Sequence, residues 1–202
     1  MGRKTPKKET GKASQKGNIL TEIDPDTALE ILKLLAEDNA DLKAKIKQTA
    51  LEIMKGVDVE GVASDIFFCL DSLHVEDVWD HSGSTRYGYV EPTEYAWEMF
   101  ETELEPFLEE MRRYQKLSMH EEARNYCMGI LLGIHKFEEK ATTEFADWAV
   151  DAPHDFFTQV LDEWNGKCKM AEDIEIVNSF AREKFNKWWK DWERCRCYKS
   201  VR

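Results

Sequence analysis

The chain is short of the two residues that punctuate loops, with ten glycines and five prolines among 202 residues. That scarcity argues against a turn-rich all-β protein. It has no run of 18 apolar residues, so no transmembrane helix is expected. The basic N-terminus is followed by no apolar stretch, so no secretory leader is expected either. Five cysteines, an odd number without framework spacing, argue against a secreted disulfide scaffold and for a reducing cytosol. The local signatures of catalysis are missing as well. The sequence holds no Gly-rich phosphate loop, no Gly-x-Ser-x-Gly and no cysteine with a motif-placed histidine. Glu-x-x-His pairs are absent; Asp71-x-x-His74 and Asp151-x-x-His154 are the nearest forms, so the ligand set of a di-iron bundle is not there. The expectation is a non-enzymatic protein with no cofactor and no bound metal, and a cytoplasmic one.

What the chain has is charge, unevenly placed. Its net charge is -12, from 28 Lys and Arg against 40 Asp and Glu. Residues 1–17 are net +5, residues 181–202 are also net +5, and residues 18–180 are therefore net -22. A body this acidic repels nucleic-acid phosphates and anionic membranes, whereas the two basic ends attract them. Residues 1–20 contain too little apolar surface to offset the entropy of ordering and are expected to be a disordered basic tail. Gly2 follows Met1, but Pro6 stands where myristoylation requires Ser or Thr. Residues 21–194 are expected to form a single helical domain, and 195–202 a second disordered tail.

Helical spacing dominates the body. Asp24-Pro25 is a start signal, a capping side chain followed by a residue with no amide to satisfy, and Ala28, Ile31, Leu32 and Leu35 follow on one face. Leu42, Ile46, Ala50 and Ile53 mark a second helix over about 41–55, and Asp58 caps a third that carries Val62, Ala63, Ile66, Phe67 and Leu70. Residues 74–91 interrupt the pattern with a Ser82-Gly83-Ser84 loop. Pro92 opens a long helix that Pro106 is expected to kink or split. The clearest helix runs over 119–140, with Ile130, Leu131, Ile134 and Phe137. Pro153 opens a sixth, ended by Asn165-Gly166, and a last helix runs from 171 into the low 190s. Phe67, Leu70, Ile130, Leu131 and Ile134 are expected in one core. The expected fold is all-α, an irregular helical bundle or a degenerate array of helical hairpins with about seven helices. No fixed repeat is visible.

Gly129 and Gly133 lie four apart in the fifth helix, where each costs about 1 kcal/mol of helix propensity. Two such residues let a neighbouring helix approach closely, and tight packing within the chain is the expected reason.

The segments VDVEGVASDIFFCLDSL, VEDVWDHSGSTRYGYVEPTEYAWEMFETELEPFLEEMRRY, EEARNYCMGILLGIHKFE, EFADWAVDAP and LDEW, in this order over residues 57–164, resemble a helical-repeat region of proteins that carry SWIM-type zinc fingers. The most specific stretch runs from Trp79 through Pro92 to Trp97. The resemblance implies a helical scaffold of the interaction type. The zinc finger itself needs Cys-x-Cys followed by Cys-x-His. Here Cys195-Arg196-Cys197 is followed by neither residue, so no metal or DNA binding carries over.

Other ligand sets are weaker. His74, Asp77 and His81 share a helical face, but a tetrahedral zinc site needs further ligands. Cys168 is separated from Cys195 and Cys197 by the last helix. The candidate interaction surface is aromatic and basic: Arg86, Tyr87 and Tyr89 in the loop, and Trp188, Trp189 and Trp192 in the last helix among Lys184, Lys187, Lys190 and Arg194. Of these indoles, Trp188 and Trp189 are expected to pack with Phe185 on the chain itself, and Trp192 to be more exposed. A protein partner is the leading expectation. Contact with nucleic acid or an anionic membrane through the basic ends is the alternative.

Overall fold

The computed structural model describes residues 22–86 and 88–199, and the chain divides into two compact units, Met1–Met54 and Lys55–Arg202. The sequence reading drew one domain over 21–194. The fold is all-α, with nine α-helices among the described residues against the expected seven or so. No described helix is long and apolar enough to cross a membrane. The basic tail at 1–20 lies outside the described residues.

The first unit is a pair of helices, α1 (Pro25–Asp38) and α2 (Ala40–Ile53). Asp24 caps α1 as its sequence implies: the carboxylate accepts from the Thr27 amide at 3.0 Å and from the Thr27 hydroxyl at 2.7 Å. One extended residue, Asn39, joins the helices. It closes α1 and caps α2, its side-chain oxygen accepting from Asp41 N at 2.9 Å and Leu42 N at 3.1 Å. Neither helix buries a residue.

The second unit begins with α3 (Val59–Asp71), capped by Asp58, and the short α4 (Val75–His81). The segment expected to be a loop then forms a small antiparallel hairpin, β1 (Gly83–Thr85) with β2 (Gly88–Val90), in which Ser84 faces Tyr89. Gly83 and Gly88 have φ of 93° and 138°, the conformations that favour glycine. Five helices follow: α5 (Pro92–Lys116), α6 (His120–Lys140), α7 (Ala152–Lys167), α8 (Ala171–Lys184) and α9 (Asn186–Lys199). A 3-10 turn at Glu144–Asp147 precedes α7.

Helix α6 is the centre of this unit, packing on α3, α5, α7 and α8. It buries Ala123, Cys127, Ile130, Leu131, Ile134, Phe137 and both glycines. The glycines face α3. A β carbon on Gly129 would lie 2.7 Å from the Val62 side chain, and one on Gly133 would lie 2.7 Å from Ile66 Cβ and 3.0 Å from the Ala63 carbonyl oxygen. Helix α3 thus rests on bare backbone, the close approach expected from the sequence. Leu70, Ile130, Leu131 and Ile134 are in the core as expected. Phe67 is only half-buried, because Ala63, Ile66 and Leu70 form the inward stripe of α3.

Several helix boundaries differ from the sequence reading. Helix α5 runs through Pro106 without splitting. Pro106 is exposed, so the carbonyl left without a donor faces water. Helix α7 passes through Asn165-Gly166 and ends at Lys167. Asn165 is a connector instead: its amide exchanges hydrogen bonds of 3.1 and 2.9 Å with Asn178 of α8 and donates to the Leu161 carbonyl at 2.8 Å. The last helix is two helices. Phe185, at φ -125° and ψ 46°, breaks the chain between α8 and α9. The break sinks its ring against His135, Phe157 and Phe180. Helix α9 then extends to Lys199, through most of the segment expected to be a tail.

Candidate functional site

The structure separates the residues taken together as an interaction surface. Arg86 and Tyr89 sit on the hairpin, where Arg86 is exposed and Tyr89 is 65% exposed. Tyr87 lies outside the described residues. The three indoles of α9 are not surface: Trp188, Trp189 and Trp192 are 6%, 5% and 3% exposed. Trp188 packs edge-on against Phe157 and His154, and Trp189 lies 4.7 Å from Trp192. Trp192, expected to be more exposed than the other two, is the least exposed of the three. It is buried because its indole N–H donates to the Asp162 carboxylate at 2.9 Å, which ties α9 to α7. What α9 presents outward is mainly basic: Lys187, Lys190, Arg194 and Arg196 are exposed, beside Glu193.

The possible ligand sets are not assembled either. His74 caps α4 without a side-chain bond, while the His81 ring stacks on Tyr95 at 5.3 Å and its Nδ1 lies 2.9 Å from the Asp77 carbonyl oxygen. Among the described residues no group of three His, Cys, Asp or Glu is placed to hold a metal. Cys195 is exposed, Cys168 is half-buried at the end of α7, and the Cys197 side chain lies outside the description.

A site that the sequence reading missed lies where α5, α6, α7 and α8 bring their ends together. A cleft of about 480 Å³ is lined by Arg112, Gln115, Lys116, Ser118, His120, Ala123, Trp164, Lys167, Cys168, Lys169 and Asp173. Four of the ten Lys and Arg residues between 55 and 180 line it, in the most acidic part of the chain. The C-terminal ends of α5 and α7 supply these cations, and the N-terminal ends of α6 and α8 open on the same space.

The carboxylates near the cleft are already engaged. Arg112 donates from Nε and Nη2 to the two oxygens of Glu163, both at 2.7 Å, and from Nη1 to Glu105. These hydrogen bonds raise the guanidinium pKa and hold the Glu163 carboxyl below its usual range. Lys167 adds a 3.0 Å bond to Glu163. Asp173 is 6% exposed and accepts from Arg124 Nη1 at 2.8 Å. Among the described residues, Lys116 and Lys169 have no carboxylate partner.

Two polar groups in the wall are orphaned, and one residue has a positive φ. Ser118 has φ 59°, the left-handed conformation that a side chain disfavours. It occupies the glycine position of a helix-ending Schellman turn, with Ser118 N donating to the Gln115 carbonyl at 3.1 Å and Met119 N to the Tyr114 carbonyl at 3.0 Å. Trp164 is 1% exposed and its indole N–H finds no acceptor; the side-chain amide nitrogen of Gln115 finds none either. Neither α6 nor α8 has a side-chain cap, their N-cap residues being Met119 and Met170.

The only signal in the sequence was a pair of basic helix ends, Arg112 to Lys116 and Lys167 to Lys169. Read locally, such residues are partners of the helix dipole. Only the tertiary arrangement turns them into a cleft. No family model, no curated protein and no solved structure matches this chain.

Proposed function

We propose that this protein is a non-enzymatic helical interaction module of the reducing cytosol that acts by binding another protein. The observation that carries this reading is the α1–α2 pair. It buries no residue, and Leu29, Ile31, Leu32, Leu34 and Leu35 are 39–56% exposed on α1. Isolated helices of this length are marginal in water. A run of exposed aliphatics of this kind marks an interaction face. The pair is also charge-patterned: α1 carries Asp26, Glu30, Glu37 and Asp38 against Lys33, and α2 carries Lys43, Lys45 and Lys47 against Asp41 and Glu52. A partner helix that is apolar along one edge and charged along its flanks suits such a surface. The helical scaffold implied by the SWIM-type resemblance over 57–164 agrees with this reading.

The test is affinity capture with the intact chain beside a Leu32→Asp/Leu35→Asp variant, at low and high salt. The variant loses the partner that the unaltered chain retains. Equal recovery by both proteins would remove the hairpin from the proposal.

A second reading has its own observation, the outward basic face of α9. Contact with nucleic acid or an anionic membrane would use this face and the N-terminal basic residues. Deleting residues 1–17 and reversing Lys187 and Lys190 would then weaken binding to DNA or to anionic vesicles and flatten its salt dependence. Unchanged binding rules this reading out.

A further inference from the structure

We propose that the cleft between the ends of α5, α6, α7 and α8 binds a small phosphate-bearing molecule. Its volume, about 480 Å³, is that of a small-molecule site rather than of a protein groove. The electrostatics select an anion. Arg112, Lys116, Lys167 and Lys169 converge on the space, and its one lining carboxylate, Asp173, is held by Arg124.

The cations left free are of a kind that holds phosphate. The planar fork of arginine, which suits carboxylate and phosphate alike, is already filled in Arg112 by both oxygens of Glu163. The unpaired cations, Lys116 and Lys169, are compact point charges suited to a tetrahedral dianion. The N-termini of α6 and α8 add main-chain donors that no side-chain cap satisfies. His120, the first residue of α6, is among the lining.

A polar group in the wall is left unsatisfied. Trp164 is almost wholly buried in the wall, yet its indole N–H has no acceptor.

The experiment is calorimetric titration of inorganic pyrophosphate into the full chain at low ionic strength. Thermal melting of each variant checks its fold, and amide NMR shifts locate the binding. The unaltered chain binds at one site and shifts the Ser118, His120 and Lys169 amides. Lys116→Gln combined with Lys169→Gln weakens binding about tenfold or more without altering the melt. Lys55→Gln combined with Lys140→Gln, far from the cleft lining in sequence, leaves it unchanged. A tricarboxylate of similar charge binds about tenfold more weakly than pyrophosphate. Absence of binding at millimolar pyrophosphate overturns the proposal, as does a cleft variant that binds like the parent or equal affinity for the tricarboxylate. Partner capture through α1 and α2 is measured separately, so either proposal fails without the other.

Discussion

Arg112 and Glu163 are joined by two hydrogen bonds of 2.7 Å, which staple the end of α5 to α7 across 51 residues of sequence. The pairing is bidentate and partly buried, the geometry in which an ion pair contributes measurably. Arg112→Ala should lower stability by about 1–3 kcal/mol. The acid branch of the stability profile carries the same bond. The Arg112 hydrogen bond lowers the folded-state pKa of Glu163 below 4.5, so its contribution is complete above that pH and disappears as pH falls through the folded value. Denaturation of Glu163→Gln between pH 3 and pH 6 should show a shallower acid slope than the parent.

Gly133→Ala should destabilise the protein although alanine is the better helix former. The propensity gain is about 1 kcal/mol, and overpacking costs about 1–3 kcal/mol. The added methyl would meet Ile66 Cβ, a backbone-proximal atom that cannot swing away. Ile66→Gly, which removes that Cβ, should couple favourably with Gly133→Ala. A double-mutant cycle by urea denaturation that shows simple additivity would contradict the contact.

His135 makes stability depend on pH near neutrality. Its ring lies against Phe185 at 4.7 Å and Trp188 at 5.0 Å, and burial lowers its pKa below 6.5 despite the opposing charges of Glu139 and Glu138. The neutral form is the one that fits, so this contribution is fully present above pH 6.5 and is lost as pH falls through the lowered value. His135→Phe should flatten that part of the profile. Melting temperatures across pH 5 to 7.5 measure it.

Truncation after Lys184 should lower the melting temperature and reduce solubility. It removes Phe185 and three buried indoles, each worth about 1.5–3 kcal/mol of burial, and uncovers the α6 and α7 surface they protect. A milder probe is Asp162→Ala, which leaves the Trp192 N–H without its acceptor and should cost about 1–3 kcal/mol. If both proteins melt like the parent, α9 is not part of the core.

The features written locally were legible before any coordinates. Asp24, Asp58 and the opening prolines 25, 92 and 153 mark true helix starts, since each acts within one turn. The glycine pair revealed its helix-facing side because its propensity cost demands a compensating contact. What failed was non-local. Asn165 reads as a stop until Asn178 is seen opposite it. Phe185 continues the apolar stripe of α8 perfectly, and only the pocket between His135 and Phe157 explains why the chain bends there. Trp192 looks like a frayed end because its partner, Asp162, lies on another helix. The cleft could not be seen at all, since its cations come from segments some fifty residues apart.

The spacing along the α3–α6 seam works as an index. Val62 and Ile66 are four residues apart, and so are Gly129 and Gly133, so the two pairs mate in one alignment. Sliding α6 back by one turn, roughly 5–6 Å, would seat Gly133 under Val62 but drive Phe137 toward Ile66. Sliding it forward would offer Asn125 to Val62. The seam therefore tells the folding chain which of several similar helical registers is the right one, a discrimination that the broad apolar faces of the other helices do not supply.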